Sequence, residues 1–323
     1  MLSRRLLLAA GASLVTAPAA SAFPERPLRF VVPFAPGGST DVAARLLAEA
    51  LGSQIGQTVV VENRAGANGA VASEAVIRAE PDGHVLLVAS ASTHGVNPAV
   101  ARRLGFDPVG DFAAVTMIGS TPLVLVCPLG FGETTLTGFT DRLRRESGRH
   151  SYASAGAGSI THLAGELFKL KAGLPDLVHV PYRGGGPAMQ AVLTGEVAFT
   201  IESVASAASL IEGGRVRALA IGSKARHPGL PDVPTFAEAG LPGVELATWN
   251  MLLAPRSTPA GRIEQIGVAV RAALATEALR TRLAAVGTTA IADASAEATS
   301  RFLAAEIAAF RAVAEAGRIS LAD

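Results

Sequence analysis

Residues 28–89 read LRFVVPFAPGGSTDVAARLLAEALGSQIGQTVVVENRAGANGAVASEAVIRAEPDGHVLLVA, and this stretch decides the fold. Residues 28–33 are a short β-rich apolar run closed by proline, which predicts a buried strand. Residues 39–51 then place Val42, Leu46, Leu47 and Ala50 on one face of a 3.6-residue period, the pattern of a helix. Residues 58–62 are a second strand, 63–69 a loop, 70–79 a helix and 85–89 a third strand. Such βαβαβ alternation builds parallel sheets covered by helices.

The alternation returns further along. Residues 177–181 predict a strand, 187–194 a helix, 197–201 and 216–221 two more strands. Residues 226–243 are dense in Pro and Gly and read as connecting loop with one short helix. Residues 248–254 resume a strand, 259–286 one or two helices, and 295–316 a long amphipathic helix with Leu303, Ile307, Phe310 and Ala314 inward. Two α/β units and a return segment predict two lobes joined by two crossings. The ligand site is expected in the cleft between them.

The start of the chain reads as an export signal. MLSRRLLLAAGASLVTAPAASA (residues 1–22) has a positive Arg4-Arg5 region, an apolar stretch over 6–15 and an Ala20-Ser21-Ala22 cleavage site. Ser3-Arg4-Arg5 also loosely resembles a twin-arginine signal, which leaves the export route open. Beyond residue 22 no apolar run approaches the roughly 20 residues that span a bilayer, despite a mean hydropathy of +0.37. The expectation is a mature protein beginning near Phe23, outside the cytoplasm and not inserted in the membrane.

Composition narrows the function. Of 323 residues 17% are charged, with 28 basic and 27 acidic side chains. Removal of the leader takes two of the 28 and no acid, so 26 face 27 and the balance moves from +1 to −1. A nucleic-acid binder would carry a basic excess on one face. The single Cys127 cannot form an intramolecular disulfide, and its apolar run, Leu123-Val124-Leu125-Val126-Cys127, predicts core packing.

Four places could carry chemistry. Residues 34–41, Phe34-Ala35-Pro36-Gly37-Gly38-Ser39-Thr40-Asp41, follow the first strand and open the first helix. The glycines let a ligand approach the backbone, and the helix start offers unpaired N–H groups to an anion, with Ser39 as candidate N-cap. An ordinary strand-to-helix turn has the same look. No Lys follows the glycines, so this is not a P-loop. Residues 154–162, Ser154-Ala155-Gly156-Ala157-Gly158-Ser159-Ile160-Thr161-His162, repeat the design. They approach G-x-G-x-x-G, but Thr161 stands at the third glycine, which favours a small anion over a dinucleotide. Ser92, Thr93 and His94 follow the strand 85–89, where open α/β sheets bind ligands. Glu202 and Ser203 hold the comparable position after the strand 197–201, either in a site or in solvent.

Hydrolase and metal signatures are missing: there is no G-x-S-x-G, H-E-x-x-H or C-x-x-C. Ser159 and His162, one helical turn apart, are the remaining nucleophile–base candidates, and no acid partner for His162 is identifiable. The other histidines (His84, His150, His179 and His227) are scattered, with no metal-like grouping. No cofactor is expected.

The sequence resembles the periplasmic solute-binding receptors of tripartite tricarboxylate transporters, the Bug family. The segments that carry the likeness are RFVVPFAPGGSTDVAARLLAEAL (29–51), VVVENRAGANG (59–69), PDGHVLL (81–87), STHGVNPA (92–99), YASAGAGSITHLAGELFK (152–169), HVPYRGGGPA (179–188), GRVRALAI (214–221), LPDVPTFAEAGLPG (230–243) and WNMLLAPRSTP (249–259). They run in order over nearly all of the mature chain.

The resemblance implies a two-lobed periplasmic binding protein, type II-like. Each lobe would be a mainly parallel sheet flanked by helices, with two crossings at the hinge. Lobe one would comprise 23–123 plus 247–323, and lobe two 124–246. It implies a monomeric, non-enzymatic receptor that hands a small carboxylate to transporter subunits of the tripartite type or to a sensor. Phe34, Pro36, Gly37, Gly38, Ser39, Thr40 and Asp41 would hold one carboxylate together with Ser154, Gly156, Gly158, Ser159 and Thr161. Ser92, Thr93, His94, Glu202 and Ser203 would face the variable end of the ligand. Relatives often carry Asp, or an uncharged residue followed by Asn, where Glu202-Ser203 stands here. An aromatic and Gly are commoner than Asn250-Met251. The residues themselves leave two alternatives: an exported hydrolase using Ser159 and His162, and a sensing module for a two-component system.

Overall fold

The computed structural model describes residues 23–100 and 104–316, so the leader read at 1–22 lies outside the described residues. The opening unit is β1 (Leu28–Val32), α1 (Ser39–Ile55), β2 (Val59–Asn63), α2 (Ala70–Ile77) and β3 (Val85–Ser90). The three strands pair in parallel, with Leu28 against Val59 and Arg29 against Val85. β3 is buried along its whole length, as expected of a strand covered on both faces. The buried face of α1 is Ala43, Ala44, Leu47, Ala48 and Leu51, turned slightly from the stripe read off the sequence. Its alanines let the helix sit close to the sheet. Gly56, in the left-handed conformation at φ 68°, ends it.

The chain continues through α3 (Asn97–Val100) into β4 (Phe112–Pro128), then α4 (Leu136–Arg145), β5 (Ser151–Ser154), α5 (Ile160–Ala172), β6 (Val178–Pro181), α6 (Gly185–Thr194), β7 (Phe199–Ser203), α7 (Val204–Glu212) and β8 (Val216–Ile221). It returns by β9 (Ala247–Pro255), α8 (Ala260–Ala275), α9 (Glu277–Ala285), β10 (Thr289–Ala290) and α10 (Ala296–Ala316).

Strand order is β2-β1-β3-β9-β4-β7-β5-β6, with β8 and β10 also on β4. The 17-residue β4 belongs to two sheets. Its first part pairs with β9 as far as Pro122, and from Leu123 onward it pairs with β7 and β8. Two α/β lobes result, each a sheet clad in helices. Both sheets are mixed: β1–β3 and β5–β7 run parallel, while β4 and β9 pair antiparallel with their neighbours. The mainly parallel reading therefore applies to the βαβ portions. The long strands that join the lobes return without a helical crossover.

Beside the switch on β4 the chain crosses back. Leu123 N–H donates to Leu246 O at 3.1 Å, Gly222 N–H to Leu123 O at 2.7 Å and Leu246 N–H to Gly222 O at 3.1 Å. Residues 226–243 form turns and no helix, because buried Phe236 is anchored by its N–H on Ile221 O and the prolines interrupt any run. In α10 Leu303, Phe310 and Ala314 are buried and Ile307 half-buried. Trp249 packs on this helix and donates from Nε1 to Glu306 at 2.7 Å. Cys127 lies fully buried in β4.

Candidate functional site

The C-terminal ends of β1, β3, β5, β6 and β7 meet at the interface between the lobes, and α1, α5 and α6 start there. Each helix start has N–H groups with no partner inside the helix and the positive end of the dipole. The loop after β1 supplies the first of these starts. Its N-cap is Gly38, not Ser39, which is the first helical residue. The loop is tied by Asp41, whose carboxylate accepts Gly37 N–H at 3.0 Å, Arg45 Nε at 3.0 and 3.1 Å and Asn63 Nδ2 at 2.9 Å. Burial alone would raise the Asp41 carboxyl, but these bonds outweigh it and hold it below the ordinary value. Asp41 is therefore spent inside the loop and turns away from the cleft. Gly37, at φ 91°, makes the turn that glycine alone adopts freely.

After β3 the chain makes one π-helical turn, Ala91–Val96. Ser90 and Thr93 cap it reciprocally, with Thr93 N–H donating to Ser90 Oγ and Ser90 N–H to Thr93 Oγ1. Ser92 turns into the cleft, where its Oγ accepts Ile160 N–H from the other lobe at 3.0 Å. His94 turns the opposite way. It is 0% exposed, contacts Phe106 and Phe112, and is held neutral by burial, which lowers its pKa to about 3. Its place is the core, so it does not meet a ligand.

The second glycine-rich loop is braced from within. Ser154 Oγ lies 2.6 Å from His179 Nε2 and accepts Gly156 N–H at 3.1 Å. Ser159 caps α5 by accepting His162 N–H at 3.1 Å. Thr161 Oγ1 accepts Ala155 N–H at 2.8 Å. His162 Nδ1 accepts Gly158 N–H at 3.1 Å, and its ring stacks on His179 at 3.7 Å. The Ser159 hydroxyl therefore meets the backbone of His162, not its ring. Ser159 and His162 thus form no nucleophile–base pair, and the hydrolase alternative built on them loses its geometry. Among the described residues no group of three or more His, Cys, Asp or Glu is placed to hold a metal ion.

Glu202 is the penultimate residue of β7 and is 3% exposed, not solvated. Its Oε1 accepts Ser203 N–H at 2.8 Å, while Oε2 has no partner among the described residues. Burial raises its carboxyl to about 7, against a smaller lowering by Ser203. Ser203 caps α7 by accepting Ser206 N–H and stays out of the cleft.

The lobes close tightly over these groups. Ala35 N–H donates to Arg183 O at 3.1 Å across the cleft. A Cβ placed on Gly186 would lie 2.7 Å from Pro36 O, and one on Gly185 would lie 2.8 Å from the Glu202 carboxyl carbon. The cavity between the lobes measures about 20 Å³, room for about one water. Of the residues expected from sequence it is lined by Phe34, Gly38, Ser39, Thr40, Ser92, Thr161 and Glu202. Ser90, Ala155, Ile160, Gly185 and Thr248 complete the wall; Ala155 and Ile160 belong to the second glycine-rich loop singled out in the sequence, whereas Ser90, Gly185 and Thr248 were not among the expected site residues. Pro36, Gly37, Asp41, Thr93, His94, Ser154, Gly158, Ser159 and Ser203 do not line it. Gly156 lines an outer pocket of about 500 Å³, which also takes in Phe34, Asn68, Tyr182 and Arg183. Asn250 stands behind the wall, its Nδ2 donating to Thr40 Oγ1 at 2.9 Å.

Two lobes closing on a small cavity at converging helix starts define a solute-binding protein. The family described as the tripartite tricarboxylate transporter family receptor, TctC, matches residues 43–318. BugT of Bordetella pertussis (strain Tohama I) is 36% identical over 309 residues, 94% of this chain and 94% of its own. The solved structure of R. palustris Rpa4515 with adipate superposes at a TM-score of 0.88 with 33% identity, covering 92% of this chain and 99% of that one. MatC from Rhodopseudomonas palustris with bound malate gives 0.85 and 34%, covering 90% and 99%. The chain belongs to the tripartite tricarboxylate transporter family of receptors.

Proposed function

We propose that this receptor captures a small carboxylate between lobe one (23–123 plus 247–323) and lobe two (124–246) and delivers it to a tripartite-type membrane transporter. It acts as a monomer in the periplasm, after removal of residues 1–22, and performs no chemistry on the ligand. The observation that carries this reading is the cavity wall. It presents three helix starts and the hydroxyls of Ser39, Thr40, Ser90, Ser92, Thr161 and Thr248, and no cation. Ser92 and Thr40 each accept an N–H through their oxygen, which leaves the hydroxyl proton free to donate. Two relatives of this fold hold adipate and malate.

The magnitudes suffice. A hydrogen bond to a charged group contributes about 1.5–3 kcal/mol. A helix N-terminus adds about 0.3–1 kcal/mol. Three or four such bonds with two helix ends reach the roughly 8 kcal/mol of a micromolar complex. A cavity of about 20 Å³ cannot hold a multi-carbon acid, so the lobes part to admit it. Among the described residues no helix is long and apolar enough to cross a membrane. Thermal-shift screening of mono-, di- and tricarboxylates tests the reading, with protein refolded to strip any carried-over ligand. Stabilisation by at least one carboxylate is expected. Stabilisation by neutral sugars alone would overturn it.

A further inference from the structure

We propose that Glu202 makes this receptor select a carboxylate whose far end donates a hydrogen bond (a hydroxyl, primary amide or ammonium) over one that ends in a second carboxylate. The inference rests on the carboxylate reading above and specifies the class of ligand.

The cavity wall carries two chemically different kinds of group. One kind is a hydroxyl whose oxygen already accepts an N–H group, at Thr40 and Ser92. The other is Glu202, the one ionisable side chain in the wall and the one acceptor-only group when ionised. Its Oε1 is satisfied by Ser203 N–H, and its Oε2 is buried without a donor. No Lys, Arg or His lines the cavity to neutralise it.

Nor can the carboxylate swing away freely. It lies against the first residue of α6, so close that a Cβ on Gly185 would sit 2.8 Å from both its carboxyl carbon and Oε2. A buried polar atom without a partner is costly, and a ligand group that supplies the donor recovers that cost. A second carboxylate would set acceptor against acceptor and like charge against like charge. Sites built around a ligand's donor discriminate strongly against analogues that lack it.

Matched ligand sets test this at pH 8 by isothermal titration: succinate, succinamate and 4-aminobutyrate, then adipate, adipamate and 6-aminohexanoate. At the chain length that fits, the amide or amino member is expected to bind the wild-type protein at least about tenfold more tightly than the dicarboxylate. Glu202→Gln places an amide donor in the same volume and should move that ratio at least about tenfold toward the dicarboxylate. Both ligands are measured on one preparation, so a change in the folded fraction cancels from the ratio. The inference is overturned if the dicarboxylate binds the wild-type protein as tightly as its amide, or if Glu202→Gln leaves the ratio unchanged. If none of the six acids binds either protein, the carboxylate reading falls, and this inference with it.

Discussion

Closure brings two backbones together with no side chain between them, and Gly186→Ala probes that contact. The new Cβ would lie 2.7 Å from Pro36 O and 3.4 Å from the Gly37 carbonyl carbon. An ordinary contact begins at 3.4 Å, so the lobes must back away by about 0.7 Å or the loop must deform. Both partners are backbone, so no rotamer change relieves the clash. Overpacking of this kind costs about 1–3 kcal/mol. The cost falls on the closed state alone, so affinity should drop roughly 5- to 150-fold. In the open state the same change removes a helical glycine, which favours folding by about 0.4–1 kcal/mol. Calorimetric titration should therefore show weaker binding while the ligand-free melting temperature holds or rises. Gly261→Ala, which points into open space, is the control and should bind normally. Affinity of Gly186→Ala within twofold of wild type would refute this account of closure, and so would a fall in melting temperature large enough to explain the loss.

Glu202→Gln has a second signature, in stability. The folded state holds the Glu202 proton up to about pH 7 against an ordinary 4.5, so its contribution is complete below pH 4.5 and lost as pH rises through 7. The deficit by pH 8 is about 3 kcal/mol, and thermal melts should show the variant more stable than wild type at pH 8 and equal to it at pH 4.5. Asp41→Ala should cost about 1–3 kcal/mol by stranding the Gly37 and Asn63 donors. Because the Asp41 carboxyl is held below 3.8, denaturant titrations should show the gap constant at neutral pH and narrowing as the pH falls below that value. Cys127 is fully buried, and burial pushes its thiol up to about 11; a thiol reagent at pH 8 should leave it untouched until denaturant is added.

The sequence made the elements legible wherever period and punctuation agreed. Residues 28–89 yielded three strands and two helices near their true ends, because each apolar run is bounded by Pro, Gly or Asn. The site was legible as loops rather than as side chains. The sequence puts Ser92, Thr93 and His94 together after β3, but the π-helical turn sends Ser92 into the cleft and His94 into the core. Asp41 looked like a ligand contact because it opens a helix, yet its carboxylate is consumed by Gly37, Arg45 and Asn63. The sequence pattern starts α6 at Pro187, two residues after its true first residue Gly185, because the preceding glycines carry no side chain to show a helical period. Thr248 reaches the cavity wall, with Asn250 behind it, on a strand far along the sequence, and only tertiary pairing with β3 and β4 brings them there.

That late strand also governs how the chain can assemble. β9 lies between β3 and β4 in the first sheet, yet it is more than a hundred residues later in sequence than either the start of β4 or the end of β3. Until residues 247–255 are available, β3 lacks its antiparallel partner and the first half of β4 has an open edge. A chain truncated before residue 247 should therefore carry two exposed strand edges and self-associate. The second sheet draws β4–β8 from one uninterrupted stretch, 123–221, and its contacts can form without waiting. The half that begins first in the sequence therefore cannot be completed until the chain beyond the second half is available.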